Sequence, residues 1–91
     1  MYPELRQSGI FVTNASGVHT VPMAEHVLGF LVALARRFPD ALRYQWRGHW
    51  AQQEIWDAQL RPRELAGQTL LIVGFGSIGR EIAKRVKPLG M

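Results

Sequence analysis

The sequence predicts an α/β fold, and two observations predict it. The first is the run Thr69-Leu70-Leu71-Ile72-Val73, which passes through Gly74-Phe75-Gly76-Ser77-Ile78-Gly79 into an amphipathic segment, Ile78 to Leu89. A short apolar run, a glycine-rich turn and a helical period read as strand, turn and helix. The second is the pattern of the remaining chain, in which a short β-branched and aromatic run, Ile10-Phe11-Val12-Thr13, alternates with helical segments.

Taken in order, residues 4 to 9 read as the end of a helix stopped by Gly9. Ile10–Thr13 reads as a strand, and Asn14-Ala15-Ser16-Gly17 as a turn by composition. Thr20-Val21-Pro22 opens the next helix, because proline in the first turn loses no hydrogen bond, and Glu25 is expected to complement the helix dipole. From Val27 to Ala35 this helix is apolar on every face, until Arg36 and Arg37 close it. Such a helix needs cover all round. It is too short for a membrane span of about 20 apolar residues. A chain of 91 residues can hardly surround it, so a second domain or subunit is expected against it.

Pro39-Asp40 restarts a helix that runs to about Gly48, with Leu42, Tyr44 and Trp46 set among arginines. His49 to Pro62 has a weak pattern and carries Trp50, Ile55 and Trp56 between polar residues. It reads as an irregular arm with exposed aromatics, which are favoured at interfaces. Gly67 makes the turn into the strand at Thr69, whose unbroken apolar run fits a strand covered on both faces. In the last helix Ile78, Ile82, Val86 and Leu89 share one face, and Pro88 and Gly90 end it.

The candidate site lies in the glycine turn. Gly74 lets the chain leave the strand sharply, Gly76 lets backbone approach a pyrophosphate, and Gly79 lets helix and strand pack closely. The free N–H groups near Ser77 and Ile78 and the positive end of the helix dipole favour the same anion. Ala83, four residues after Gly79, is expected where the helix lies nearest the sheet. Gly74, Phe75, Gly76, Ser77, Ile78 and Gly79 are thus the expected cofactor-binding residues, for NAD or NADP. The acidic residue that grips a ribose about 20 residues further on has no counterpart before Met91, so the two cofactors are not separated.

Composition excludes several other classes. Hydrophobic residues make up 47% of the chain, enough for a core. There is no cysteine, hence no disulfide framework and no thiolate metal site, which fits a reducing, cytoplasmic setting. No signal peptide is visible at Met1-Tyr2-Pro3-Glu4. The net charge of +4 invites a nucleic-acid reading, but the basic residues are scattered and read as solvated helix faces. His19, His26 and His49 show no metal-ligand spacing, so no metal site is expected. Ser16 is not in a nucleophile elbow, and the adjacent Glu25 and His26 point in different directions.

The motifs together resemble the D-isomer-specific 2-hydroxyacid dehydrogenase family. The resemblance is carried by Val12-Thr13-Asn14-Ala15, Val21-Pro22-Met23-Ala24-Glu25-His26, Arg36-Arg37 and Trp50. It continues through Glu64-Leu65-Ala66-Gly67-Gln68-Thr69, the turn Gly74–Gly79, and Gly90-Met91. Pro22 departs from the alanine or valine usual at its position. The resemblance implies part of a Rossmann-type NAD(P)-binding domain. Residues 1–17 would end a substrate domain and 18–91 would begin the cofactor domain. Within the latter, 22–37 would be the linking helix, 38–66 a dimerisation arm and 68–91 the first strand-turn-helix. The parent enzymes move a hydride between nicotinamide and a 2-hydroxy or 2-oxo acid. Their catalytic arginine, glutamate and histidine follow the glycine motif at a distance this chain does not reach, so no catalytic residue is assigned. The chain is expected to be an internal piece of such a protein, a homodimer in its parent form. A non-catalytic dimerisation module and a small basic nucleic-acid binder are the alternatives.

Overall fold

The structure is a computed structural model and describes residues 2–91. Five α-helices are present among these residues: α1 Pro3–Gln7, α2 Thr20–Ala35, α3 Phe38–Trp46, α4 Gln52–Asp57 and α5 Ser77–Val86. A single 3₁₀ turn, Lys87–Leu89, continues α5.

Local chemistry sets most of these boundaries. Gly9, at φ 69°, follows α1 as its stop. Asn14 Oδ1 accepts the Ser16 N–H at 2.9 Å, the side-chain turn expected of an asparagine there. Pro22 is the third residue of α2. Because α2 begins at Thr20, Glu25 lies beyond its first turn, and the dipole role expected of Glu25 passes to no acidic residue. Pro39 and Asp40 both fall in the first turn of α3. That helix ends where the Gly48 N–H reaches the Gln45 carbonyl at 2.9 Å, with Gly48 at φ 64°. The stretch read as irregular contains one short helix, α4.

The core lies between α2 and α5. Ala24, Ile82 and Val86 are its buried members, and Val27, Leu28, Leu31, Leu70, Ile72 and Met91 pack around them. Ala24 is only 1% exposed, which lets α5 come close to α2. Arg63 N–H donates to the Ala35 carbonyl at 2.8 Å and Gly67 N–H to the Gly90 carbonyl at 2.8 Å. These two bonds tie the returning chain to the end of α2 and to the end of the 3₁₀ turn.

Two expectations are corrected. Neither Ile10–Thr13 nor Thr69–Val73 forms a strand, so among the described residues the fold is helical rather than α/β. A strand is defined by a hydrogen-bonded ladder, and neither run meets a partner. The side chains of the second run nonetheless alternate: Leu70 and Ile72 face the core while Leu71 and Val73 are 83% and 92% exposed. That is the two-faced geometry of a strand with one face covered and the other bare.

The all-apolar helix is likewise covered on one side only. Ala24, Val27, Leu28 and Leu31 meet the core, whereas Val21, Met23, Phe30 and Leu34 are exposed. The chain is elongated, with a radius of gyration of 20.1 Å and extents of 66 × 30 × 19 Å. A compact chain of this length has a radius of gyration of about 12 Å.

Candidate functional site

The turn between Ile72 and α5 holds three glycines, and the structure accounts for two of them. Gly74 has φ 90°, a left-handed backbone that side chains other than glycine rarely adopt. Gly79 is buried, and a Cβ there would lie 2.6 Å from the Gly74 carbonyl oxygen and 3.2 Å from Ile72 Cγ2. Gly76 caps α5 at φ −80° and ψ −158°, an ordinary extended conformation. A Cβ on Gly76 would meet no atom of the chain within 4 Å. Neither backbone geometry nor internal packing therefore explains the glycine at 76.

Ser77, Ile78 and Gly79 form the first turn of α5. The first i to i−4 bond of that helix runs from the Arg80 N–H to the Gly76 carbonyl at 3.0 Å. The N–H groups of the three residues before Arg80 precede that ladder and have no intrahelical acceptor. Phe75 is exposed, and its carbonyl accepts a hydrogen bond from Arg80 Nη1 at 3.2 Å. Arg80 thus spans the turn and places a cation beside it. From the sequence it is one of many scattered basic residues. Its place immediately after the last glycine was the only available signal.

A close approach of α5 to the preceding segment falls at Gly79, against the Gly74 carbonyl and Ile72. Ala83 is half-buried and borders a hollow of about 240 Å³ with Leu70, Ile72 and Val86. Ile78 is exposed, so the buried stripe of α5 is Gly79, Ile82 and Val86. Because Gly79 has backbone behind it, Gly79→Ala should destabilise the chain by about 1–3 kcal/mol. A thermal melt of the two forms checks this, and an unchanged midpoint would contradict the close approach.

A separate cleft of about 850 Å³ lies between α3, α4 and the segment joining them. Tyr44, Trp50, Ile55 and Trp56 line it, with Arg36 and Pro62 at the α2 side. Trp50 is 85% exposed. His49 pairs with Glu54, and its ring lies 5.6 Å from that of Tyr44. The hydrogen bond from His49, then the Glu54 backbone, holds the Glu54 carboxyl below the usual carboxylate range. His26 stacks edge-on against Phe30 at 4.7 Å. Among the described residues no group of three or more His, Asp or Glu could hold a metal ion. Among the described residues no helix is long and apolar enough to cross a membrane.

The basic residues are partly neutralised where they stand. Asp40 engages Arg37 and Arg43, and Glu81 engages Lys84 and Arg85. These pairs favour solvated helix faces over a continuous phosphate-binding surface.

Residues 28–91 match the family described as D-isomer specific 2-hydroxyacid dehydrogenase, NAD binding domain. The chain is 39% identical over 85 residues to a D-3-phosphoglycerate dehydrogenase of Archaeoglobus fulgidus, covering 93% of this chain and 15% of that protein. It is 41% identical over 90 residues to a glyoxylate reductase of Thermococcus litoralis, covering 97% of this chain and 27% of that protein. It is 36% identical over 86 residues to a hydroxypyruvate reductase of Thermotoga maritima, covering 94% and 26%. The chain therefore spans between 15% and 27% of the length of these relatives. With its glycine turn inside the matched region, the chain belongs to the D-isomer-specific 2-hydroxyacid dehydrogenase family, and residues 28–91 correspond to part of its NAD-binding domain.

Proposed function

We propose that Gly74, Phe75, Gly76, Ser77, Ile78 and Gly79 bind the pyrophosphate of NAD or NADP. In this reading residues 68–91 are the first strand-turn-helix of a Rossmann-type α/β domain. The observation that carries it is Gly76: its surroundings leave open the space that a side chain would fill, at the amino end of α5. An anion there would meet the first N–H groups of the helix and the positive end of its dipole. Arg80 stands close enough to the turn to add a full positive charge. The bare face of Leu71 and Val73 is the face that further helices of such a domain would cover.

The whole enzyme to which this piece corresponds would transfer a hydride between nicotinamide and a 2-hydroxy or 2-oxo acid. Substrate binding and proton transfer would come from parts of that enzyme other than this chain. Residues 1–17 would belong to the substrate domain and residues 18–91 to the cofactor domain. The test is a chimera in which this chain replaces the 90 aligned residues of the Thermococcus litoralis glyoxylate reductase. A folded chimera should bind a nicotinamide dinucleotide by calorimetry. A folded chimera with no dinucleotide binding would count against the assignment.

Residues 38–66 would form an arm that clasps a second subunit. Trp46 and Trp50 are largely exposed, the cleft of about 850 Å³ is lined mainly by apolar groups, and the chain is much longer than a compact one. Exposed apolar surface of this kind marks interaction sites. Size measurement of the chain, alone and mixed with an intact relative, should give self-association or a mixed species. A monomer that ignores the relative would remove the arm assignment.

A further inference from the structure

Seven described residues have positive φ, and six of them are glycines. The seventh is Arg37, at φ 60° and ψ 33°, where α2 gives way to α3. An arginine visits the left-handed region rarely, because its Cβ crowds the following carbonyl. Its backbone is nevertheless fully engaged. The Arg37 N–H donates to the Leu34 carbonyl at 3.3 Å, and the Arg37 carbonyl accepts the N–H groups of Asp40 and Ala41, both at 3.1 Å.

The side chain at the corner supplies what a glycine could not. Arg37 Nη2 pairs with Asp40 Oδ2, and Arg43 Nη1 reaches Asp40 Oδ1 at 3.1 Å. Asp40 is therefore held by a guanidinium on each oxygen, and it is only 23% exposed, as against 27% for Arg37. On the other side of the corner, the Arg63 N–H donates to the Ala35 carbonyl. The chain is thus fixed just before and just after Arg37, and the backbone of residue 37 sets the angle between α2 and α3.

We propose that the α2–α3 corner is a latched joint, with Asp40 as the latch. The ion pair holds Arg37 in a conformation it would otherwise leave, and this fixes the direction in which α3 and α4 depart from α2. Glycine at 37 would accept the same angle at no steric cost but would also accept others. Arginine makes the angle conditional on Asp40. The cleft is lined by Arg36 and Pro62 on one side of the joint and by Tyr44, Trp50 and Trp56 on the other. Release of the latch therefore changes the shape of that cleft. The use of this movement in partner binding rests on the arm reading, but the joint itself does not.

The absence of cysteine makes the joint directly measurable. Glu25 on α2 and Gln45 on α3 are exposed, and both are replaced by cysteine and spin-labelled in the full chain. The distance distribution between the labels should be narrow with Asp40 present. Asp40→Asn should broaden it at least twofold while helix content stays unchanged by circular dichroism. Adding Arg37→Asn to Asp40→Asn should narrow it again, since asparagine tolerates the left-handed region better than arginine. An unchanged width in Asp40→Asn, or a double variant that stays broad, overturns the latch. If Asp40→Asn loses its helices, Arg37→Gly decides the matter: a broad distribution supports the joint and a narrow one overturns it. The readout uses neither cofactor nor a second subunit, so its failure is distinct from failure of the dinucleotide or arm assignments.

Discussion

In the glyoxylate reductase chimera, Gly76→Val should weaken dinucleotide binding by orders of magnitude, on the order of 100-fold or more, without unfolding the protein. The two halves of this expectation come from the same geometry. The backbone at 76 has φ −80°, which valine adopts readily, and no atom of the chain lies within 4 Å of the added Cβ. The folded chain therefore tolerates the substitution. A bound pyrophosphate would not, because the valine methyl groups occupy the space in front of the first helical N–H groups. Gly76→Ala should fall between glycine and valine. The neighbouring glycines serve as contrasts. Gly74 at φ 90° and Gly79 against the Gly74 carbonyl should lose stability on substitution as well as binding. Calorimetric titration with NAD and NADP, paired with a thermal melt of each variant, separates the two effects. Equal affinity of Gly76 and Gly76→Val forms would remove the proposed site.

The chain by itself should catalyse no measurable oxidation of a 2-hydroxy acid and no reduction of a 2-oxo acid. Hydride transfer to a carbonyl needs a group that polarises the oxygen and a proton donor placed beside it. The resemblance implies that both lie outside residues 1–91, and among the described residues no acid–base pair borders the glycine turn. His49 and Glu54 do form a pair, but they line or border the α3–α4 segment and not the glycine turn. Loss of a general acid alone costs about 10²–10⁴-fold in rate. Loss of substrate orientation removes a contribution of roughly 7–11 kcal/mol to lowering the barrier. Both losses are expected for this chain. Dinucleotide binding by the isolated chain should also be weak, since one turn and one helix grip a pyrophosphate but not the adenosine and nicotinamide ends. An absorbance assay of nicotinamide oxidation against a panel of 2-oxo acids checks the expectation. Turnover that co-purifies with the chain would contradict it.

Several features needed nothing beyond neighbouring residues, and these were legible in the sequence. The start of α2 near Pro22, its end at Arg36, the opening of α3 around Pro39 and the stop at Gly48 follow from local backbone preferences. The glycine turn was legible for the same reason, with Gly74 at positive φ and Gly79 packed against Gly74 and Ile72, as their positions in the motif imply. The family was legible because motifs spread along the chain stand in one order, and the comparisons bear that out.

What sequence could not decide was anything that depends on a distant partner. Thr69–Val73 has the composition of a strand, but a ladder needs a second strand, and none lies beside it among the described residues. The all-apolar α2 demanded cover on every side, but only the position of α5 selected Ala24, Val27, Leu28 and Leu31 as the covered face. Ala83 was expected where the helix lies nearest the sheet, yet it borders a hollow, while Gly79 lies against the Gly74 carbonyl and Ile72. The left-handed backbone of Arg37 carries no pattern in the sequence, and neither does the bond from the Arg63 N–H to the Ala35 carbonyl just before it, between residues 28 positions apart. Local preference fixes where helices begin and end; the side on which they are buried is settled by contacts between segments remote in sequence.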